Sequence, residues 1–347
     1  MSSKNILIAP LDWGLGHTSR CIPIIELLLN RGHKVYTCGD NNSGILFKEH
    51  FPNIEHFIID GYKVKYSERQ SQAMSMIMQT PKFLRIIKNE TKIANELCEK
   101  LNLDYIFSDN RFGFRAKKAI NIFISHQIHI QGPRILQSIM YKINLSYISK
   151  FNYCFIPDNK APKNLSGNLS KLPLPENSNF IGALSRFKQS IKTVDVEYEY
   201  LAILSGPEPQ RSILEDIIFK EFSKLNCKSV IIGGNPLGKT YTSNNIYYVS
   251  HTNTEHFKEI LASSKFIICR AGYSSIMDLA IIQKKALLIP TPGQTEQEYL
   301  AKYHNKLSGM PWLNQNNFKL DNLTCFGKII NYDTNNLLEN KLNEIGL

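Results

Sequence analysis

The chain has 347 residues, 43% of them hydrophobic and 20% charged, with 19 Gly and 15 Pro. That length exceeds the size at which one core usually stops growing, and the composition excludes a disordered or fibrous protein, so two globular domains are expected, 1–183 and 184–347. The net charge of +11 gathers in residues 1–150, which hold 20 basic and 12 acidic side chains. No apolar run approaches the length of a bilayer-spanning helix, and Met1–Pro10 reads as a strand without a leader pattern, so the expected location is the cytoplasm. The seven cysteines are scattered and never form a C-x-x-C pair, which suits small buried side chains and neither a disulfide framework nor a metal site.

Short apolar runs alternate with helix-period segments along the whole chain, the pattern of βαβ units and a parallel sheet. Asn5–Pro10 reads as a buried strand. Thr18 is placed to cap a helix carrying Ile22, Ile25 and Leu28 on one face; Gly32 stops it, and Lys34–Cys38 is the next strand. Further strands are predicted at His56–Asp60, Asp104–Asp109, Ile122–His126 and Tyr153–Pro157. Within Gly61–Lys92, seven basic and two acidic side chains interleave with Met74, Met76, Met78, Phe83 and Leu84. Basic charge beside apolar residues suits an anionic acceptor or a peripheral contact with the inner face of the plasma membrane; a solvated helical face explains it too. No nucleic-acid partner is expected.

Lys160–Asn179, with Pro162, Pro173, Pro175 and Gly167, reads as irregular chain near the domain boundary. A second alternating series follows, with strands at Tyr200–Ser205, Ser229–Gly234, Ile246–Ser250, Phe266–Arg270 and Ala286–Pro290, and helices starting near Gln210, Thr254, Ser274 and Thr295. The fold class is therefore α/β, two tandem Rossmann-like, doubly wound domains, with the last helix an element able to pack back on the first domain. In such sheets ligands sit beyond the carboxyl ends of the strands.

Gly233–Thr240 satisfies the phosphate-loop pattern G-x-x-x-x-G-K-[ST]. That loop works only when it opens a helix, and here a turn and a strand follow, so it is read as an exposed connection.

Three other strand ends carry chemistry. After the first strand, Gly14 and Gly16 let the backbone approach a ligand, and His17 places an imidazole at the strand edge. Such a histidine can take a proton from a hydroxyl near neutral pH, with Asp109 at the end of another strand as its orienting partner. A histidine that merely caps the helix fits the same pattern. In Arg270-Ala271-Gly272-Tyr273-Ser274-Ser275 the small residues leave room for a phosphate, and Asp278 can accept both hydroxyls of a ribose; capping by Ser274 is the plain alternative. The third turn offers Gln294, Gln297 and Glu298 to sugar hydroxyls, or a capping box from Thr295 to Glu298.

With CRAGYSSIMDLA and PTPGQTEQEY, the stretch His251–Tyr303 resembles the donor half of GT-B glycosyltransferases of the family 28 C-terminal type, which includes the lipid II-forming N-acetylglucosaminyltransferases. The G-x-G-H loop and Ser125-His126-Gln127 are similar to the acceptor domain of that family. The resemblance implies that Asp278 holds the ribose of a UDP-sugar. It places Ala271, Gly272, Ser274 and Ser275 in the nucleotide pocket, Gln297 and Glu298 at the donor sugar, and Arg211 near the phosphates. His17 would be the base or a diphosphate contact. Where the family has a glycine-rich turn, this chain has Ser205-Gly206-Pro207-Glu208-Pro209-Gln210-Arg211, whose prolines donate no N–H.

The activity this implies is an inverting, metal-independent transfer from a UDP-sugar, a co-substrate and not a resident cofactor, to a hydroxyl acceptor. The alternative is hydrolysis: nucleotide-sugar hydrolases of nonulosonic acid synthesis share a similar G-x-G-H-x-x-R-C stretch, matched by Gly14–His17, Arg20 and Cys21.

Overall fold

The computed structural model describes residues 2–59, 80–132, 134–162, 164–188, 190–191, 194–320, 332 and 336–347. By packing, the chain divides into two units. The first is Met1–Asp12, His17–Leu184 and Asp333–Leu347; the second is Trp13–Gly16 and Ser185–Tyr332.

The first unit is built on seven parallel strands: β1 (Asn5–Pro10), β2 (Lys34–Gly39), β3 (Glu55–Ile58), β4 (Tyr105–Asp109), β5 (Ile120–Ile124), β6 (Tyr153–Ile156) and β7 (Ser178–Phe180), in the order β3-β2-β1-β4-β5-β6-β7. Helices α1 (Leu15–Asn30), α2 (Asn41–His50), α3 (Thr80–Leu101) and α4 (Arg134–Ile148) make the crossovers. Central strands covered on both faces need apolar side chains throughout, which is why Ile6, Leu7, Ile8 and Ala9 of β1 and Ile106 and Phe107 of β4 are all fully buried. The strand order reverses between β1 and β4, whose ends are in register at Pro10 and Asp109. That reversal opens a crevice at their carboxyl ends.

The chain's last helix, α9 (Leu337–Glu344), belongs to this unit. The Arg31 guanidinium donates to the Leu347 carbonyl and the Tyr105 hydroxyl to the Ile345 carbonyl, each at 2.6 Å.

The second unit has a six-stranded sheet of β8 (Tyr198–Ile203), β9 (Ser229–Ile232), β10 (Tyr241–Ser243), β11 (Ile246–Val249), β12 (Ser264–Cys269) and β13 (Leu287–Leu288). Its order is β10-β11-β9-β8-β12-β13, parallel except for the β10–β11 hairpin. Helices α5 (Gln210–Phe222), α6 (Thr254–Ala262), α7 (Tyr273–Ile282) and α8 (Thr295–Ser308) complete it. Here the reversal lies between β8 and β12, so the turns after Ile203 and Cys269 flank the second crevice.

Three expectations are corrected. Thr18 does not cap α1: the helix starts at Leu15, and the buried Thr18 hydroxyl lies 3.0 Å from Ser43 Oγ. The irregular stretch Lys160–Asn179 runs into β7, because Ser178–Phe180 pairs with β6. The turn expected after Gly233–Thr240 contains β10; a two-residue connection with Asn244 at φ 51° closes the hairpin, a conformation that Asn tolerates. After the G-x-x-x-x-G-K-T stretch comes this strand, not a helix, and Lys239 and Thr240 are exposed.

One glycine is set by close approach. A Cβ on Gly113 would lie 2.1 Å from the Ile87 carbonyl oxygen and 2.8 Å from Glu90, so the β4–β5 connection can lie against α3 only without a side chain there. Gly113→Ala is expected to lower stability by about 1–3 kcal/mol through overpacking, read as a fall in Tm.

Candidate functional site

In the first unit the site is built on one face of α1 and the end of β4. His17, Arg20 and Cys21 stand at i, i+3 and i+4 on the helix, and all three turn to the fully buried Asp109. His17 Nδ1 lies 3.2 Å from Asp109 Oδ1, Arg20 Nε donates to Asp109 Oδ2 at 2.6 Å, and Cys21 Sγ is 3.8 Å from the same oxygen. A second Arg20 nitrogen donates to Asp109 Oδ1, making the ion pair bidentate. The third guanidinium nitrogen lies 3.4 Å from Nδ1 of the buried His126 beyond β5.

The electrostatics follow from that packing. Burial alone would raise the Asp109 pKa, but the Arg20 guanidinium and His17 hold it at about 2, so the carboxylate is ionised. Burial and the neighbouring Arg20 charge hold the His17 pKa below its ordinary 6.5, against the pull of Asp109. A neutral imidazole whose Nδ1–H donates to Asp109 leaves Nε2 as a free lone pair, the arrangement of a general base. The His17 side chain keeps 17% of its surface exposed while Asp109 has none, so the base alone of this pair is open to a reactant.

Arg111 braces the same strand ends. It is fully buried, donates to the Pro10 carbonyl at 2.8 Å and to Glu90 Oε1 at 2.9 Å, while Glu90 Oε2 accepts from the Gly113 amide at 3.1 Å.

In the second unit the turns after β8, β12 and β13 approach one another, Gly206 lying near Thr291 and Gly272 near Gln297. Gly272 is the N-cap of α7 and no side chain caps it; Ser274 lies inside the helix and its hydroxyl donates to the Gly16 carbonyl at 2.9 Å, within the same unit. Among the described residues, chain neighbours apart, a methyl placed on Gly272 would meet Gln297 Nε2 and Ser275 Oγ, each at 4.0 Å, and one on Gly206 would meet Thr291 Oγ1 at 4.0 Å. Both turns therefore leave open backbone with a polar atom nearby. Gly14 and Gly206, at φ +96° and +103°, hold conformations that side chains resist.

Gln297 is buried and accepts from the Thr291 amide at 2.8 Å, which fixes the turn after β13. Gln294 is the N-cap of α8 without a side-chain cap bond, so the expected capping box is absent; the Glu298 carboxylate instead accepts from the Gly293 amide at 3.0 Å. Arg270 is fully buried, with its pKa pulled down to about 10 by burial. It donates to the Gln210 carbonyl at 2.6 Å and to the Ile289 carbonyl at 3.4 Å, so it braces the turn ends and does not face the crevice as a free cation. Ala271 beside it is buried.

Asp278 is half-buried, and its carboxyl accepts from Ser185 Oγ at 2.5 Å. Burial pushes its pKa up to about 6 against the opposing pull of Arg186 and Ser185. Arg211, implied by the resemblance to stand near phosphates, is taken up by local partners: it donates to Glu208, just before α5, at 2.6 Å and also to Glu215 within the helix, so its charge is offset locally.

The sequence reading gave no site role to Arg20, His126 or Thr291, although Arg20 and His126 lie in the stretches that carry the family resemblance. Arg20 was legible from its i+3 spacing to His17 once the helix is started at Leu15; starting it at Thr18 hid that face. Thr291 and His126 join the candidate site only through the fold, which sets them beside Gly206 and Arg20.

Residues 225–343 match the glycosyltransferase family 28 C-terminal domain. Among solved structures, the glycosyltransferase SnogD from Streptomyces nogalater is similar at 12% identity and TM-score 0.61, covering 99% of this chain and 94% of that one. MurG of Acinetobacter baumannii aligns at 13% identity and TM-score 0.52 over 92% and 88% of the two chains. Arabidopsis thaliana UGT89C1, complexed with UDP-L-rhamnose, aligns at 13% identity and TM-score 0.57 over 100% and 91%. No curated protein sequence matches the chain. At these identities the structural likeness shows the fold, and the domain match shows the kind of enzyme. The chain thus has the GT-B fold, and over residues 225–343 it is similar to the family 28 glycosyltransferase C-terminal domain.

Proposed function

We propose that this enzyme moves a sugar from a nucleoside diphosphate sugar, most simply a UDP-sugar, to an acceptor hydroxyl with inversion and without a metal ion. The observation that carries the reading is the neutral His17 held by an ionised, buried Asp109 at the β1/β4 reversal. His17 Nε2 takes the proton of the acceptor O–H, the oxygen forms a bond to the anomeric carbon, and the bond from that carbon to the diphosphate oxygen breaks, releasing the nucleotide. The open backbone at Gly206 and Gly272 and the N-terminus of α7 suit the departing diphosphate, whose charge grows in the transition state. Donor nucleotides in similar structures support this: SpnG was solved with thymidine diphosphate and UGT89C1 with UDP-L-rhamnose.

The acceptor is the finer question. A lipid-linked acceptor at the inner face of the plasma membrane is favoured by the basic charge of the first half, although residues 61–79 of the basic, Met-rich stretch lie outside the described residues. Among the described residues no helix is long and apolar enough to cross a membrane. Hydrolysis is the second reading, favoured by one observation: His17, Arg20 and Cys21 of the G-x-G-H-x-x-R-C stretch all turn to Asp109, so the motif acts as one assembly, and water can take the place of the acceptor.

Incubating the purified protein with a panel of UDP- and dTDP-sugars, with and without a lipid extract, and following nucleotide release separates the two. Release that requires an acceptor supports transfer, and equal release without one replaces transfer by hydrolysis. No release from any donor under either condition would overturn both. Asp278→Ala is expected to weaken UDP binding about tenfold, the loss of a charge-assisted contact to ribose, with little change in Tm.

A further inference from the structure

A second concave site lies on the first unit, in a cleft of about 410 Å³ walled by α3, the β4–β5 connection and the end of α4. Leu84, Ile87, Lys88, Thr91, Lys92 and Asn95 recur at helical spacing on one face of α3. Arg115, Tyr147 and Lys150 face them, giving four cations and no carboxylate among the described residues of the lining. Lys92 reaches Glu96 outside the cleft at 3.8 Å, but that pair is solvent-exposed on both sides and weak. Lys150 lies over the Tyr147 ring at 4.6 Å. Arg115 Nε is buried and has no hydrogen-bond partner among the described residues.

The cleft is built, not incidental. The Thr91 hydroxyl donates to the Gly113 carbonyl at 2.8 Å, the Lys117 amide donates to Asn95 Oδ1 at 3.1 Å, and the bare Gly113 lets the connection close on α3. These bonds fasten the chain on both sides of Arg115. Gathering Lys88, Lys92, Arg115 and Lys150 costs mutual repulsion, and leaving a guanidinium N–H buried without an acceptor costs more. An anion with several acceptor oxygens relieves both.

We propose that this cleft binds a phosphate-class polyanion, a phosphomonoester or diphosphate group, whose organic substituent rests against Leu84, Ile87 and the Tyr147 ring. The site is separate from the donor turns of the second unit and does not depend on the sugar-transfer reading. The same chemistry is offered by a free phosphorylated compound and by a phospholipid headgroup.

Lysine-acylation footprinting read by mass spectrometry tests it on the full chain, with UDP present throughout to fill any nucleotide site. One arm adds inorganic pyrophosphate; the other adds phosphatidylcholine vesicles with or without phosphatidylglycerol. Expected is protection of Lys92 and Lys150, with Lys118 and Lys265 as unprotected controls. Protection by pyrophosphate identifies a free anion as sufficient, and protection only by phosphatidylglycerol vesicles identifies the headgroup; either supports the site. Lys88→Gln and Arg115→Gln, checked for unchanged Tm, are each expected to weaken the protecting ligand about tenfold, the loss of one charge-assisted hydrogen bond. No protection in either arm, or protection undiminished in both variants, overturns the proposal.

Discussion

Replacing His17 by alanine is expected to lower kcat by about 10²- to 10⁴-fold, the span a positioned general base contributes, with a much smaller effect on KM for the sugar nucleotide. The pH profile gives the sharper result. The base works only when neutral, and burial together with Arg20 lowers its pKa below 6.5. Activity of the native enzyme is therefore expected to persist below pH 6.5 and to fall only as the pH drops through the depressed His17 value, and that acid limb is expected to vanish in His17→Ala. Full activity in His17→Ala would remove the histidine from the mechanism. Asp109→Asn weakens the hold on the Nδ1–H tautomer and also leaves the buried Arg20 without its counter-charge, so a fall in kcat is expected together with a fall in Tm.

The second large effect is at Arg20, and it is on stability first. Asp109 has no exposed surface and is ionised because Arg20 holds it with two nitrogens. Arg20→Met leaves that carboxylate buried without its charge partner, a change expected to cost about 3–5 kcal/mol in chemical denaturation. Removing both charges in Arg20→Met/Asp109→Leu is expected to return most of that loss, since a buried ion pair is of little net worth against apolar packing. A double variant no more stable than the single one would show that Arg20 stabilises the unit by packing alone. Arg20→Lys keeps the charge but not the planar two-pronged contact, and it tests positioning. Its acid limb is expected at a different pH from that of the native enzyme, because the cation that depresses His17 has moved.

Much of the architecture was legible from residue patterns. Asn5–Pro10, Tyr105–Asp109 and Ser264–Cys269 are apolar runs because central parallel strands are covered on both faces, and such runs announce themselves. The short strands β7 and β10 were not legible, since three-residue strands such as Ser178–Phe180 owe their conformation to the neighbour they pair with. The start of α1 misled for a related reason, while the starts near Ser274 and Thr295 held although neither side chain caps its helix. Thr18, Ser274 and Thr295 have capping chemistry, yet the hydroxyls of Thr18 and Ser274 are drawn to Ser43 and to the Gly16 carbonyl, partners that are remote in sequence.

The sequence by itself determined two α/β halves with chemistry at their strand ends, because hydrophobic period and glycine placement are local properties. It also selected His17 and Asp109. What only the tertiary structure decided is who shares that carboxylate: Arg20 takes both oxygens, and burial together with the Arg20 charge lowers the His17 pKa and favours the neutral imidazole. It likewise decided that Arg270 is held by backbone carbonyls and Arg211 by Glu208 and Glu215, where the family resemblance implied a place for Arg211 near the phosphates. The physical reason is the same in each case. A charge goes to whichever opposite group the folded chain brings within hydrogen-bond reach in a low-dielectric interior, and residue spacing alone does not encode that distance.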